Sequence, residues 1–393
     1  MVENAQEKQK AAEKGRPRLV IATDNFLPRW DGIARFLGEI IPRLLEEYDI
    51  TVVSPDYGIT PLDMKVRRVL IPTSRKVYGD YTPAQWRPEI VKAAVAEADI
   101  VFCQTIGPVG WLAHRYARRL GKPLVAFIHS IEWELVPKAV DTPLLKKLGQ
   151  TIMKLLTRYV YNRCDLLILP SENIAEMFSW QRIRTRKTIA HLGVDTKRFT
   201  KGDKDEAKAK LKLPKDSIVV GFHGRLGYEK NLLTLSRAYI RVKNDKKRIL
   251  LVGDGVPELK LRLKRLPGAV LPGAQDDIVP YLQAMDVYVM PSFTETTSLA
   301  VLEAMSCELP VISSPVGFIQ QYIKHGENGL FYETKNAFEL AGKIQHLAED
   351  ETMRAKLGKA ARKTVVEQFS WDKAADDIAA ALRGLLKERA KKS

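Results

Sequence analysis

Val287-Tyr288-Val289-Met290-Pro291-Ser292-Phe293-Thr294-Glu295-Thr296-Thr297-Ser298-Leu299-Ala300-Val301-Leu302-Glu303-Ala304-Met305 reads as one strand, one loop and one helix. Four apolar residues closed by a proline suit a short strand buried on both faces. Thr296, Thr297 and Ser298 are favoured at helix starts, and Leu299 to Met305 is rich in helix formers. Glu295 then falls in the loop just ahead of the helix, and Glu303 lies within it, more than a turn later. First-turn N–H groups have no intrahelical acceptor and attract anions. Two carboxylates beside such an end suit a sugar nucleotide, because carboxylates accept from hydroxyls and N–H groups hold phosphate. The same residues also describe a capped helix with two exposed glutamates.

Working outward, strand, loop and helix recur along the chain. Before the quoted unit come the apolar runs Ile218–Phe222, Ile249–Val252 and Val270–Leu271; after it come Pro310–Ser313 and Gly329–Tyr332. An earlier series holds Leu19–Ala22, Ile50–Val53, Asp99–Cys103, Leu124–Ile128 and Leu166–Leu169. Residues 33–47 between the first two runs carry helical spacing at Ile33, Phe36, Leu37, Ile40, Ile41 and Leu44. Alternating strands and helices imply mainly parallel sheets covered on both faces. The expected fold class is α/β, with two Rossmann-like doubly wound domains facing a central cleft. Ligands in such sheets bind beyond the carboxyl ends of the strands. The expected boundaries are a disordered arm at 1–18, an acceptor domain at 19–195, a donor domain at 196–370, and a final helix at 371–393 returning to the first domain.

Composition narrows the class. At 45% hydrophobic and 28% charged over 393 residues, the chain has ordinary globular balance and length for two cores. Cys103, Cys164 and Cys307 are scattered without a CxxC pair, which fits a reducing, cytoplasmic compartment and neither a disulfide framework nor a zinc site. No apolar run reaches membrane-spanning length, and the first 18 residues lack the apolar middle of a signal peptide. The formal net charge of +16 suits anionic partners, or simply a solvated surface. No aromatic-basic signature or helix-turn-helix pattern points to nucleic acid.

A second chemical cluster is Gly221-Phe222-His223-Gly224-Arg225-Leu226-Gly227-Tyr228-Glu229-Lys230-Asn231, closing the first strand of the second series. Its glycines permit tight turns. Arg225 offers a planar fork and Lys230 a point charge, both suited to a diphosphate.

These two segments resemble the signatures of glycosyltransferase family 4, also called group 1. The quoted stretch resembles its Glu-x7-Glu motif, continued by Leu309-Pro310-Val311-Ile312, a turn at Pro315 to Gly317, and His325-Gly326-Glu327-Asn328-Gly329. The upstream cluster resembles its Gly-Arg-Leu-x-x-Glu-Lys motif. The resemblance implies a GT-B fold and a retaining, metal-independent hexosyltransferase that uses a UDP- or GDP-linked sugar and no cofactor. It implies that Arg225 and Lys230 neutralise the departing diphosphate, Glu295 contacts the transferred sugar, and Glu303 binds the ribose hydroxyls. Gly224, Thr296, Thr297, Ser298 and Leu299 complete the implied donor contacts. The family commonly has Gly-Phe-Gly where this chain has Thr296-Thr297-Ser298.

In the first series the loop Asp24 to Gly32 resembles the family's glycine-rich first loop, with Gly32 as the implied diphosphate contact; the neighbouring Asp31 would repel phosphate unless turned away. Phe127-Ile128-His129-Ser130 ends a strand where the family places a histidine near the reacting sugar, so His129 is the implied catalytic residue there. His191-Leu192-Gly193-Val194-Asp195 to Phe199 resembles the family's hinge segment, and Phe369-Ser370-Trp371 its carboxyl-terminal motif.

The acceptor is read from one segment. Leu144 to Arg163 sets Leu144, Leu145, Leu148, Ile152, Leu155, Leu156, Tyr159 and Val160 at helical spacing beside Lys146, Lys147, Lys154, Arg158 and Arg163, with no acidic residue. Arg182, Arg184, Arg186 and Lys187 add a second basic cluster. Such a helix suits the surface of an anionic membrane, and hence a lipid or lipid-linked glycan acceptor; it equally suits ordinary packing on the sheet with its basic face in water. The competing functional readings are a nucleotide-sugar epimerase, a soluble-acceptor transferase and a catalytically silent sugar-binding protein.

Overall fold

The computed structural model describes residues 15–29, 31–59, 65–75, 82–135, 143–295 and 297–391. The chain divides into two compact units. One runs to His191 and takes in the chain from Ala374 onward; the other is Leu192–Lys373.

The first unit is built on seven strands: β1 (Arg18–Ala22), β2 (Asp49–Pro55), β3 (Arg67–Ile71), β4 (Ile100–Cys103), β5 (Leu124–Phe127), β6 (Leu166–Leu169) and β7 (Lys187–Ile189). Their order is β3-β2-β1-β4-β5-β6-β7, with every pairing parallel. β4, β5 and β6 are buried at every residue, as continuous apolar runs require when helices cover both faces. The sequence analysis passed over β3 and β7. They sit at the two edges, where Arg67, Arg68 and Lys187 replace the apolar run because only part of each strand is covered. β1 begins one residue earlier than the apolar run. Arg18 already pairs with Asp49 of β2, and its guanidinium meets Asp99 at 2.9 Å. Residues 1–14 of the expected arm lie outside the described residues.

Helices α1 (Gly32–Leu44), α2 (Pro108–Arg119), α3 (Glu132–Leu135) and α4 (Pro143–Tyr161) follow β1, β4 and β5. α1 buries Phe36, Leu37, Ile40, Ile41 and Leu44, the residues whose spacing announced it. α4 turns Thr157, Val160 and Tyr161 inward and leaves Leu148, Ile152, Leu155 and Tyr159 at least half exposed.

The second unit carries β8 (Ile218–His223), β9 (Lys247–Val252), β10 (Ala269–Gly273), β11 (Val287–Met290), β12 (Val311–Ser313) and β13 (Leu330–Phe331), ordered β10-β9-β8-β11-β12-β13 and all parallel. Its first helix, α5 (Lys204–Lys210), comes from a stretch that reads as merely polar. Lys208 turns inward, reaches Asp286 at 2.9 Å and donates to Ser217 O at 2.6 Å. Asp286 also meets Lys204 at 2.7 Å. Burial alone would raise the Asp286 carboxyl, but Lys204, the Val219 N–H and Lys208 outweigh it and hold it below the usual range.

Helix α6 (Leu299–Ser306) follows β11. The hinge segment and the carboxyl-terminal motif meet within this unit: Val194 N–H donates to Phe369 O at 2.8 Å, and a Cβ on Gly193 would lie 2.4 Å from Trp371 N. Helix α7 (Trp371–Ala390) then leads back into the first unit. There the Tyr48 hydroxyl donates to Ala379 O, and Arg389 pairs with Asp165 at 2.6 Å. Among the described residues no helix is long and apolar enough to cross a membrane.

Candidate active site

In the second sheet the direction of strand addition reverses between β8 and β11. Loops beyond strand ends at such a switch are where open parallel sheets place ligands. Both motifs of the sequence land there. β8 ends in His223 and runs into Gly224-Arg225; β11 ends in Met290 and runs into Pro291 to Ser298.

The β8 loop needs glycine at Gly224, whose φ of +136 suits no residue with a Cβ. The loop is pinned to the next strand end: Leu226 N–H donates to Asp254 O at 2.8 Å, and a Cβ on Gly253 would sit 1.9 Å from Gly224 O. A short 3-10 turn at Tyr228–Lys230 then directs Lys230 across to the β11 loop. Its Nζ donates to Glu295 Oε1 at 2.6 Å, with the two side chains 20% and 9% exposed. Ser292 Oγ donates to the same oxygen at 2.6 Å. Arg225 goes elsewhere. Its guanidinium is 74% exposed and meets Glu229 at 2.9 Å. The two cations therefore do not converge here; each is held by its own carboxylate.

Helix α6 starts at Ser298, whose φ is +50 and whose hydroxyl caps nothing. Ser298 thus offers the first-turn N–H groups no side-chain acceptor. Thr297 Oγ1 and Ser298 Oγ are buried with no hydrogen-bond partner among the described residues. Unpaired hydroxyls beside an uncapped helix end form a donor set fitted to anionic oxygens. Leu299, the first helical residue, is partly buried against the core. Thr296 lies outside the described residues. The left-handed backbone at Ser298 falls where the family commonly has the second glycine of Gly-Phe-Gly, so this chain holds with a serine a turn that glycine makes without strain.

Glu303 is buried inside α6, its side chain only 2% exposed. The plain reading of the sequence, a helix with two exposed glutamates, does not hold for either carboxylate. Glu303 Oε2 lies 2.8 Å from Nε2 of His223, and the His223 ring packs at 5.4 Å from Tyr288. His223 Nδ1 is buried without a partner among the described residues. The sequence analysis gave His223 no role. Its one available signal was position, as the last residue of a strand whose end faces a ligand loop.

The first unit carries the other two assigned residues. Gly32 opens α1, and Asp31 before it caps the helix, its Oδ1 accepting from Ile33 and Ala34 N–H at 2.9 Å each. Asp31 is thus turned into its own helix and bridged to Arg29 at 3.2 Å. A Cβ on Gly32 would meet open space. His129 follows β5 and packs on Phe36 and Phe127, with Nε2 2.9 Å from Gln104 Oε1. Burial lowers its pKa to about 3, so it is neutral at physiological pH. Because Oε1 only accepts, Nε2 carries the proton. Asp24 is fully enclosed and accepts from Thr105 Oγ1, Val109 N–H and Gly110 N–H, joining the β1 loop to the start of α2; burial raises its carboxyl above the usual range. Three residues past His129, Glu132 accepts from the Tyr161 hydroxyl at 2.7 Å while Oε2 has no partner among the described residues, and burial pushes its carboxyl up to about 7.

Comparison with known proteins adds three kinds of finding. Residues 203–364 match the family model "Glycosyl transferases group 1", and residues 30–198 match "Glycosyltransferase Family 4". A D-inositol 3-phosphate glycosyltransferase of Rhodococcus erythropolis is 29% identical over 69% of this chain, and the match spans 64% of that protein. A GDP-mannose-dependent alpha-mannosyltransferase of Mycolicibacterium smegmatis is 26% identical over 92% of this chain and 96% of its own length. Among solved structures, Anabaena HepE in complex with UDP superposes with a TM-score of 0.76 at 19% identity, covering 93% of this chain and 100% of that one, a likeness of fold. The two matched segments account for both α/β halves, and the chain belongs to the group 1 (family 4) glycosyltransferases of GT-B fold.

Proposed function

We propose that the chain is a retaining, metal-independent hexosyltransferase that moves a hexose from a UDP- or GDP-linked sugar to a hydroxyl of a membrane lipid or lipid-linked glycan. The observation that carries the donor half is the β8/β11 switch point. There the Lys230–Glu295 pair stands on adjacent strand-end loops, beside the start of α6, whose N-cap side chain makes no capping bond, and the buried Glu303 within that helix. Glu303 accepts from the ribose hydroxyls and Glu295 from the hexose. Arg225, Lys230 and the α6 start meet the charge that develops on the diphosphate. On donor binding Arg225 leaves Glu229, a partner it holds at an exposed and therefore weak site. The C1–O bond to phosphate breaks as the acceptor oxygen attacks C1 from the same face. The acceptor proton passes to a donor phosphate oxygen, and the nucleoside diphosphate leaves. His129, neutral and proton-bearing at Nε2, binds the donor sugar and shapes its reacting face. Gly32 supplies a backbone N–H. No side chain serves as base, so catalysis consists of positioning and electrostatic stabilisation. The GDP-mannose dependence of the Mycolicibacterium relative supports a sugar-nucleotide donor.

The acceptor half rests on α4. Leu148, Ile152, Leu155 and Tyr159 form an exposed apolar stripe. Lys147, Lys154, Arg158 and Arg163 lie on the same helix or just past its end. An apolar face rimmed by lysine and arginine fits the boundary of an anionic bilayer, and this supports the reading of a protein peripheral on the cytoplasmic face of a membrane. The test is donor hydrolysis and transfer across UDP- and GDP-hexoses, with and without lipid, read by NMR for the anomeric configuration of the product. A retained anomer, formed undiminished in excess EDTA, is expected. Inversion, or activity lost to EDTA and restored by magnesium or manganese, overturns the mechanism. Conversion of donor to an epimer without acceptor overturns the reaction class.

A further inference from the structure

We propose that His223 is a positioning residue for the nucleotide: its Nε2–H fixes the Glu303 carboxylate so that the site discriminates ribose hydroxyls. The inference rests on the reading of Glu303 as the ribose contact, and the experiment separates the two. His223 ends β8 and Glu303 lies in the middle of α6, so sheet and helix converge on this one contact at 2.8 Å between side chains that are almost wholly buried. A carboxylate only accepts, so the nitrogen facing it bears the proton. The opposite ring nitrogen, Nδ1, is buried and has no partner among the described residues. Tyr288 walls the ring, and its hydroxyl approaches the His223 carbonyl at 3.4 Å. A histidine with one nitrogen left unsatisfied is a poor choice for packing alone, because a buried polar atom without a partner costs free energy. It is a good choice for holding a carboxylate: the imidazole is rigid, donates along one direction, and restricts the rotamers of Glu303. A glutamate free to turn would lose the geometry that rewards two adjacent hydroxyls. Outer partners of this kind are how sites orient the groups that touch the ligand.

The test is calorimetry on the full chain with UDP and GDP, each beside its 2′,3′-dideoxy form. The readout is the ratio of the two dissociation constants, the ribose preference. The variants are His223→Leu, which removes the donor, His223→Gln, which keeps an N–H near the Nε2 position, and Glu303→Ala. The expected result is a ribose preference reduced about tenfold in His223→Leu, as loss of a charge-assisted contact implies, kept in His223→Gln, and abolished in Glu303→Ala. A structural role for His223 weakens ribo and dideoxy forms alike and leaves the ratio unchanged; that result, with Glu303→Ala still losing the preference, overturns the proposal and spares the ribose reading. An unchanged ratio in Glu303→Ala overturns both. Should His223→Leu not fold, histidine-selective 15N NMR of the unaltered protein decides: the Nε2–H resonance is expected to move with the ribonucleotide and not with the dideoxy form, and equal movement with both overturns the proposal.

Discussion

Lys230→Ala and Arg225→Ala remove one cation each from the same loop, yet the structure predicts different consequences for the fold. Lys230 Nζ sits 2.6 Å from Glu295 Oε1, with the side chains 20% and 9% exposed. Deleting one member of a fully buried ion pair costs about 3–5 kcal/mol, because the other charge stays buried and uncompensated. Two features soften that here: the partial exposure of Lys230, and the Ser292 hydroxyl that continues to donate to Glu295. About 2–3 kcal/mol remains. In the 182-residue unit Leu192–Lys373 this lowers the thermal midpoint by about 5–10 °C, at about 2–4 °C per kcal/mol for a domain of that size. Arg225 is 74% exposed beside Glu229, and its removal costs below about 1 kcal/mol. Turnover does not separate the two: both variants lose a donor to the departing diphosphate, at about 100- to 1000-fold for each. Differential scanning calorimetry and turnover at saturating donor are the two assays. The double variant Lys230→Ala/Glu295→Gln adds a control, since neutralising the stranded carboxylate is expected to recover at least about 1 kcal/mol of the loss. Equal melting of the two single variants, or no recovery in the double variant, refutes the electrostatic account of this pair.

Ser298→Gly is expected to raise stability by about 1 kcal/mol in a urea titration. Glycine relieves the left-handed backbone at φ +50 and removes a buried unpartnered hydroxyl, partly offset by unfolded-state entropy; a lowered midpoint counts against strain at the helix start. Glu132→Gln tests a pH dependence. The folded carboxyl titrates at about 7 against an ordinary 4.5, so its contribution is intact below the ordinary value and is lost as pH rises towards about 7, by about 3 kcal/mol in all. The variant is therefore expected to gain on the wild type between those pH values and to run parallel above them; a constant difference across that window is the contrary result. On the α4 face, Leu148→Ser/Leu155→Ser and Lys147→Gln/Lys154→Gln/Arg158→Gln are each expected to weaken co-sedimentation with anionic vesicles. Each basic residue near such a surface contributes about 1 kcal/mol, and the attraction is screened by salt. Equal sedimentation with neutral vesicles would reassign the face.

The sequence by itself determined the architecture. Runs such as Ile100–Cys103 and Val287–Met290 are buried at every position, and a run apolar on both faces has few homes other than a sheet covered by helices. It also determined that Arg225, Lys230 and Glu295 fall on the loops after β8 and β11 and Glu303 on the helix that follows β11, because each is close in sequence to a strand end. Edge strands β3 and β7 escaped notice because half-covered strands keep basic residues and show no apolar run. Helix α5 escaped because a buried lysine looks like any other until its partner, Asp286, is brought from 78 residues away. Pairings were the province of the tertiary structure. It separated Arg225 from Lys230, set Lys230 on Glu295, turned Asp31 into its own helix and placed His223 on Glu303. The reason is physical: local propensity and apolar period are written in neighbouring residues, whereas a charge finds its partner only after sheet and helix have packed. Glu303 reads as an exposed helical glutamate until the β8 strand end lies beneath it.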